Sequence, residues 1–427
     1  MPRPSPDRSD TTDNQRDPLD MSKLLTHRIL CFLLAMCACG ACVSTAQGPT
    51  QAADHALDGF RGLWITRWDY RTESDVKRIV QEATDLGVTD IMWQVRGQAD
   101  AFYRSHLEPW GEELFADLPT DARTPGFDPL RLAVEQAHLR GLRIHAWINV
   151  YPLWKGVQPP RDPGHIYHVQ SAWRLYDKDG KPQPLNEHYV IVNPLLEDVQ
   201  DHIVAVSADI VRRYDIDGLH LDYIRFVSEA FKEHHLYPGD PLSIRMFMQA
   251  TDRRGIDTDT ERKEYRAFIR DHITTLVRRI KAEAVSRRHG VEFSAAVWRN
   301  PDIARDQYLQ DAAKWLNEGT IDRAFPMIYT TDNALLTKDL NAWLDAAPRK
   351  KITPGLGIYK HTDPRQSPVQ IALSSRADGF ALFGYSSIFE SVDPTQPKDA
   401  AEVRLRTKRR QIIGAYLNSL IRQGNSR

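Results

Sequence analysis

Cysteine is nearly absent from this sequence. All four cysteines, Cys31, Cys37, Cys39 and Cys42, fall in one short apolar stretch, and none follows them. The folded part of the chain is therefore expected to use neither a disulfide framework nor a thiolate metal site. An excess of charge is lacking too. Lys and Arg number 56 against 57 Asp and Glu, a net charge of −1, so no field of one sign draws the chain to nucleic acid or to anionic lipid. A neutral partner such as a glycan fits better. The chain has no HExxH, no P-loop, no nucleotide-binding GxGxxG and no GxSxG elbow, and no cofactor is expected. Asp177-Lys178-Asp179-Gly180 lacks the rest of a calcium-ligand series and reads as a hairpin turn. His234-His235 has no zinc-ligand spacing, so no metal ligands are assigned.

Only one long hydrophobic run occurs, at 29–43, just after Lys23 and Arg28. It is short for a mature membrane span but suits the apolar core of a secretory signal. Residues 1–46 are accordingly read as an upstream extension, with Met21 as a second possible start, followed by a signal peptide. Two processing routes stay open: cleavage after the small residues Ser44-Thr45-Ala46, or lipidation of Cys39 or Cys42, each preceded by Ala. Either sends the protein to the periplasm or cell envelope, with membrane contact only through such a lipid anchor. The sequence carries no signal for oligomeric state.

No Gly/Ser linker, internal repeat or low-complexity segment divides the rest, so 58–422 is read as one domain. There, short β-rich runs alternate with amphipathic stretches, the rhythm of parallel βα units. Strands are predicted at 61–68, 89–96, 142–150, 217–222, 291–298, 323–329, 352–359 and 378–385. Helices are predicted at 73–86, 129–140, 195–214, 261–288 and 400–421, the first, second and fourth of them followed by Gly87, Gly141 and Gly290, as helix-ending glycines should be. Asn193 is the expected cap of the third, with Pro194 in its first turn. Eight such units mean a closed (β/α)8 barrel, with long loops after strands two, three and four.

Alternation along each strand sorts residues between helix side and lumen. Gln94 and Arg96 of strand two, His145, Trp147 and Asn149 of strand three, and His220 and Asp222 of strand four all face inward. A purely structural barrel would place Val, Ile and Leu there; polar groups in a lumen need a purpose or a partner. Amide, imidazole and guanidinium groups suit sugar hydroxyls. Trp147 adds an apolar face, and the insertion after strand three brings Tyr151, Trp154, Tyr167, Trp173, Tyr176 and Tyr189. Asp222 closes strand four at the carboxyl end, where barrel enzymes keep their chemistry.

Arg61-Gly62-Leu63-Trp64-Ile65-Thr66, Gln94-Val95-Arg96, Leu107-Glu108-Pro109-Trp110, His145-Ala146-Trp147-Ile148-Asn149, Val192-Asn193-Pro194 and Asp217-Gly218-Leu219-His220-Leu221-Asp222-Tyr223 occur in that order. Trp298-Arg299-Asn300 and Pro326-Met327-Ile328-Tyr329 continue the series. In this the chain resembles the bacterial glycosyl hydrolase-like family 10 proteins. The resemblance implies a cell-envelope (β/α)8 hydrolase, often a lipoprotein, acting on a bacterial polysaccharide. Many relatives carry a double aspartate in strand four; here Tyr223 stands second, so only Asp222 carries over.

Glycosidic hydrolysis needs one ionised and one protonated carboxyl. Asp222 suits the ionised role, favoured by Arg96 or Arg225. For the acid, Glu108, Asp69, Asp100, Glu187 and Asp332 lie in loops on the right face, and Glu108 leads because of its family-like setting. Gln94, Arg96, His145, Trp147, Asn149, His220, Tyr223, Arg225 and Tyr329 are the expected sugar-binding residues. Two rival functions remain: a non-catalytic glycan-binding barrel, and a polysaccharide deacetylase, which would need an Asp/His metal cluster. Cell fractionation tests the export signal: the chain should reach the periplasm or envelope without its leader, and a full-length form soluble in the cytoplasm would overturn that assignment.

Overall fold

The computed structural model describes residues 59–119, 121–227, 236–393, 396 and 399–424. The expected leader at 1–46 and the pair His234-His235 lie outside these residues. Eleven strands occur among them: β1 Phe60–Ile65, β2 Asp90–Arg96, β3 Arg143–Asn149, β4 Pro152–Lys155, β5 Tyr189–Ile191, β6 Gly218–Asp222, β7 Glu292–Trp298, β8 Arg323–Met327, β9 Lys351–Ile352, β10 Gly355–Gly357 and β11 Gly379–Phe383. All the strands except β4 and β5 form one parallel sheet, which closes because β10 pairs with both β8 and β11 and β11 pairs with β1. This is the (β/α)8 barrel.

Local chemistry explains the boundaries. The helix Glu73–Leu86 starts on a capping box between Thr72 and Asp75 and stops at Gly87, whose φ of 88° only glycine adopts cheaply. The helix Asp259–Glu283 likewise opens on a Thr258–Glu261 box. The seventh barrel strand, expected as one run, is split into β9 and β10 around Thr353-Pro354, because proline has no N–H for the ladder. The third predicted helix begins late, at Glu197: Asn193 instead accepts from Leu195 N at 3.0 Å and donates to Ser243 Oγ at 2.9 Å, so it caps the turn ahead of the helix. The long connection after β3 carries the antiparallel hairpin β4–β5.

Outward residues such as Ile144, Ala146, Leu219 and Leu221 are fully buried in the main core between barrel and helices. The lumen holds a second, aromatic core of Phe60, Trp64, Met92, Trp147, Phe325 and Ala381. Register stacks inward residues in levels. His145 pairs with Met92 and Gly218 near the floor, Trp147 with Gln94 and His220 at mid-height, and Asn149 with Asp222 at the mouth. A Cβ at residue 218 would overlap the buried ring of His145. Gly218→Ala should therefore lower stability by about 1–3 kcal/mol, read as a drop in melting temperature; an unchanged melting temperature would refute the close packing.

Candidate active site

The mouth is organised around Asp222, the last residue of β6. Its Oδ1 accepts from Arg225 NH1 at 3.0 Å and from Tyr223 N at 2.6 Å, while among the described residues Oδ2 takes no hydrogen bond. Arg225 is held in turn by stacking, its guanidinium carbon 4.1 Å from the Tyr223 ring centre and 5.6 Å from that of Trp298. Tyr223 adopts a left-handed backbone, φ 48°. An aromatic residue there is under strain of about 1–3 kcal/mol, the kind of cost that clusters at functional sites. Burial pushes the Asp222 carboxyl above the ordinary aspartate range, and the adjacent Arg225 charge opposes but does not cancel that rise. Tyr329 lies in the loop beyond β8; burial, and then the nearby Asp222 carboxylate, push its phenol well up.

Arg96 does not reach Asp222. Its guanidinium binds Glu108, Nε at 2.8 Å and NH2 at 2.7 Å, and donates to the backbone oxygens of Asn149 and Val150. Glu108 also accepts from His202 Nε2 at 2.9 Å. Despite complete burial, the Arg96 and His202 contacts hold Glu108 down at about 2. With both oxygens engaged by Arg96 and one also by His202, Glu108 is placed as a clamp on Arg96 and the end of β3, not as the proton donor expected of it.

Two histidines also change place. His145 points inward as expected, but at the floor, its Nε2 2.9 Å from Asp90 Oδ1, with Arg143 2.8 Å from the same carboxylate oxygen. Four residues of strand, roughly 13 Å, separate it from Asn149 at the mouth. It is a core histidine, not a sugar ligand. His220 is fully buried at mid-height, accepting from Trp64 Nε1 at 3.2 Å and so donating from Nδ1 to Ser294 Oγ at 2.9 Å. Burial drives its pKa well down, leaving a neutral ring that braces the aromatic core. Trp147 donates to Asn149 Oδ1 at 2.9 Å, and Asn149 Nδ2 to Gly97 O at 2.9 Å. Gln94 accepts from Arg67 N at 3.0 Å. Gln94 and Trp147 thus support the mouth from beneath, and Asn149 ties its rim to the loop after β2.

Sequence reasoning missed the hub on the other flank. The buried Arg67 guanidinium binds Glu113 Oε1 at 2.8 Å, Tyr189 OH at 3.0 Å and Gln98 Oε1 at 3.4 Å, and lies 4.0 Å from the Trp68 ring centre. It draws together the loop after β1, the loop after β2 and the β4–β5 hairpin. Gly97 makes room: a Cβ there would lie 2.6 Å from Arg67. Glycine directly after strand two was the available signal. Of the other loop acids, Asp332 caps the helix Asn333–Ala346 and Glu187 is exposed. Asp69, bonded to Thr66 and Ser391, is raised by burial to about 6. Asp100 is raised as well; its Oδ1 accepts from Gly97 N and Gln98 N, and its buried Oδ2 has no partner. Among the described residues no group of His, Cys, Asp and Glu is placed to hold a metal ion.

The Glu108 clamp can be tested directly. Glu108→Gln leaves the buried Arg96 charge uncompensated and should cost about 3–5 kcal/mol of stability. A variant with unchanged melting temperature but abolished turnover would restore Glu108 to the chemistry.

Comparisons with known proteins agree with this architecture. The model of the family described as Glycosyl hydrolase-like 10 matches residues 59–373. Glycosyl hydrolase DigH of Escherichia coli (strain K12) is 24% identical over 413 residues, covering 82% of this chain and 87% of DigH. Glycosyl hydrolase YngK of Bacillus subtilis (strain 168) is 25% identical over 301 residues, 63% of this chain and 54% of YngK. Among solved structures, the glycoside hydrolase domain of PgaB (BpsB) from Bordetella bronchiseptica superposes with a TM-score of 0.52 at 11% identity, covering 80% of this chain and 99% of that one. The catalytic domain of β-amylase from Paenibacillus polymyxa gives 0.53 at 10% identity, covering 83% and 98%. The two superpositions speak for the barrel alone. With the family model matched over most of its length, the chain belongs to the glycosyl hydrolase-like 10 family and is a glycosidase on a (β/α)8 barrel.

Proposed function

We propose that this glycosidase hydrolyses a polysaccharide of the bacterial cell envelope, peptidoglycan glycan strands being one candidate, with Asp222 as the ionised carboxylate of the reaction. The export signal read in residues 1–46 supports an envelope substrate, and a lipid on Cys39 or Cys42 would hold the enzyme at the membrane facing it. The observation that carries the reading is the state of Asp222: one carboxylate oxygen fixed by Arg225 and the Tyr223 amide, the other unheld, at the carboxyl end of barrel strand four. A fixed carboxylate with one free oxygen is what a nucleophile or base needs at an anomeric carbon. Water gives its hydroxyl to that carbon, and a proton passes to the leaving oxygen. Asp69 and Asp100, both raised by burial, are the loop carboxyls disposed to keep a proton. Arg225 acts on Asp222 rather than on sugar; Tyr223 and Tyr329 supply ring faces beside it.

Purified protein lacking residues 1–46, incubated with a panel of bacterial glycans including peptide-free peptidoglycan strands, should release new reducing ends. Retention of glycan without cleavage would favour a binding protein, and released acetate a deacetylase. Asp222→Asn should lower the rate by about 10²–10⁴-fold with the circular dichroism spectrum preserved, and with a lower melting temperature because the Arg225 charge loses its partner. Because Asp222 must be ionised and its pKa is raised, the rate should fall as pH drops through a point above the ordinary aspartate value. A variant that cleaves at the parental rate would remove Asp222 from the mechanism.

A further inference from the structure

Burial at the barrel mouth differs from burial in the body. Rings within the barrel such as Trp64 and Phe325 are buried almost completely, whereas Trp68, Tyr189, Tyr223, Tyr329, Tyr359 and Phe383 are each half-buried. Six rings gathered at one carboxyl-end rim, each with part of its surface open, offer a set of apolar surfaces to a ligand.

These six form two groups, on either side of the fourth barrel strand. On the side of strands one to three stand Trp68 and Tyr189, bridged by Arg67 and by Lys155 Nζ, 5.5 Å and 5.9 Å from their ring centres. Tyr189 meets Tyr223 edge-on at 4.9 Å, which joins this group to Asp222. Strands six to eight carry Tyr329, Tyr359 and Phe383. Tyr329 and Phe383 lie nearly parallel at 5.2 Å, and Tyr359 stands across both at 6.1 Å. Tyr329 follows directly on β8, two strands round the ring from β6 and its terminal Asp222, so this second group stands on the other flank of the carboxylate's strand.

We propose that the mouth is a through-cleft that binds an extended glycan chain across Asp222, with sugar rings stacked on both sides of the bond to be cut, and that the enzyme cleaves within chains rather than from their ends. An end-cutting enzyme needs a pocket closed on one side of its carboxylate; here both sides carry ring faces. The ring surface left uncovered by Arg67, Arg225 and the Tyr329–Phe383 stack suits the apolar side of a pyranose, with the Lys155 ammonium at the edge of one wall. The inference rests on the glycosidase reading and adds the mode of attack and the shape of substrate.

Time-resolved product sizing tests it, using the full mature chain and whichever glycan of the panel above is cleaved, peptide-free peptidoglycan strands first. Internal cutting makes the mean polymer length collapse while few reducing ends have formed, and the early products are mixed oligosaccharides. Steady release of one short product from an otherwise full-length polymer would overturn the proposal while leaving the hydrolase intact. If no glycan is cut at all, the hydrolase reading fails and this inference falls with it. The walls are tested separately by binding to Asp222→Asn, which keeps the cleft and stops turnover. Oligosaccharides of increasing length should gain affinity until both walls are filled, and Trp68→Ala and Tyr329→Ala should each weaken the longest by about tenfold. Affinity that stops rising after a single sugar, or that responds to only one wall, would show a blind pocket.

Discussion

Closing eight parallel strands into a ring gives every second side chain a place in one shared lumen, and the strand's rise sets the height of each. Height then decides chemistry. Near the floor, charges survive only as tightly bonded sets, such as Asp90 with Arg143 and His145. At mid-height the interior is aromatic, and His220 is tolerated as a neutral ring bonded at both nitrogens. At the mouth, where water and substrate enter, Asp222 keeps one oxygen without a hydrogen bond among the described residues.

The same principle separates what was legible in the sequence from what was not. The rhythm of strand, helix and glycine located all eight barrel strands, though not the helices after the fifth, sixth and seventh, because periodicity reports local structure and a closed parallel barrel is built from local units. Inward phase was legible too: His145, His220 and Asp222 all face the lumen. Phase carries no height, however, so His145 looked equivalent to Asp222 although it lies four residues lower on the neighbouring strand. The partner of Glu108 was hidden for another reason. His202 lies on a helix that follows a long insertion, and no spacing between residues 108 and 202 announces their contact. The Arg67 hub was obscured likewise, since it gathers Glu113 and Tyr189 from segments far apart in sequence.

Around the mouth, charge is compensated locally. Arg96 answers Glu108, Arg67 answers Glu113 and Arg225 answers Asp222. Buried pairs of this kind add little net stability, because desolvation offsets their attraction, but they fix geometry, since breaking one strands a charge. They therefore hold the loops at set angles without help from disulfides, none of which this region could form. Asp222 differs from Glu108 in the number of its partners: one guanidinium leaves it raised, whereas a guanidinium and an imidazole together hold Glu108 at about 2.

The antiparallel pairing of β4 with β5 brings Pro152 opposite Ile191, so a segment of some forty residues leaves the barrel and rejoins it at one point. Topologically it is a cassette. Its interior can be lengthened, shortened or exchanged between related barrels without moving any strand of the ring, provided that Tyr189 still reaches Arg67. Variation in what such enzymes accept could then accumulate in the cassette while the carboxylate and its arginine stay unchanged, which separates the evolution of specificity from that of the reaction.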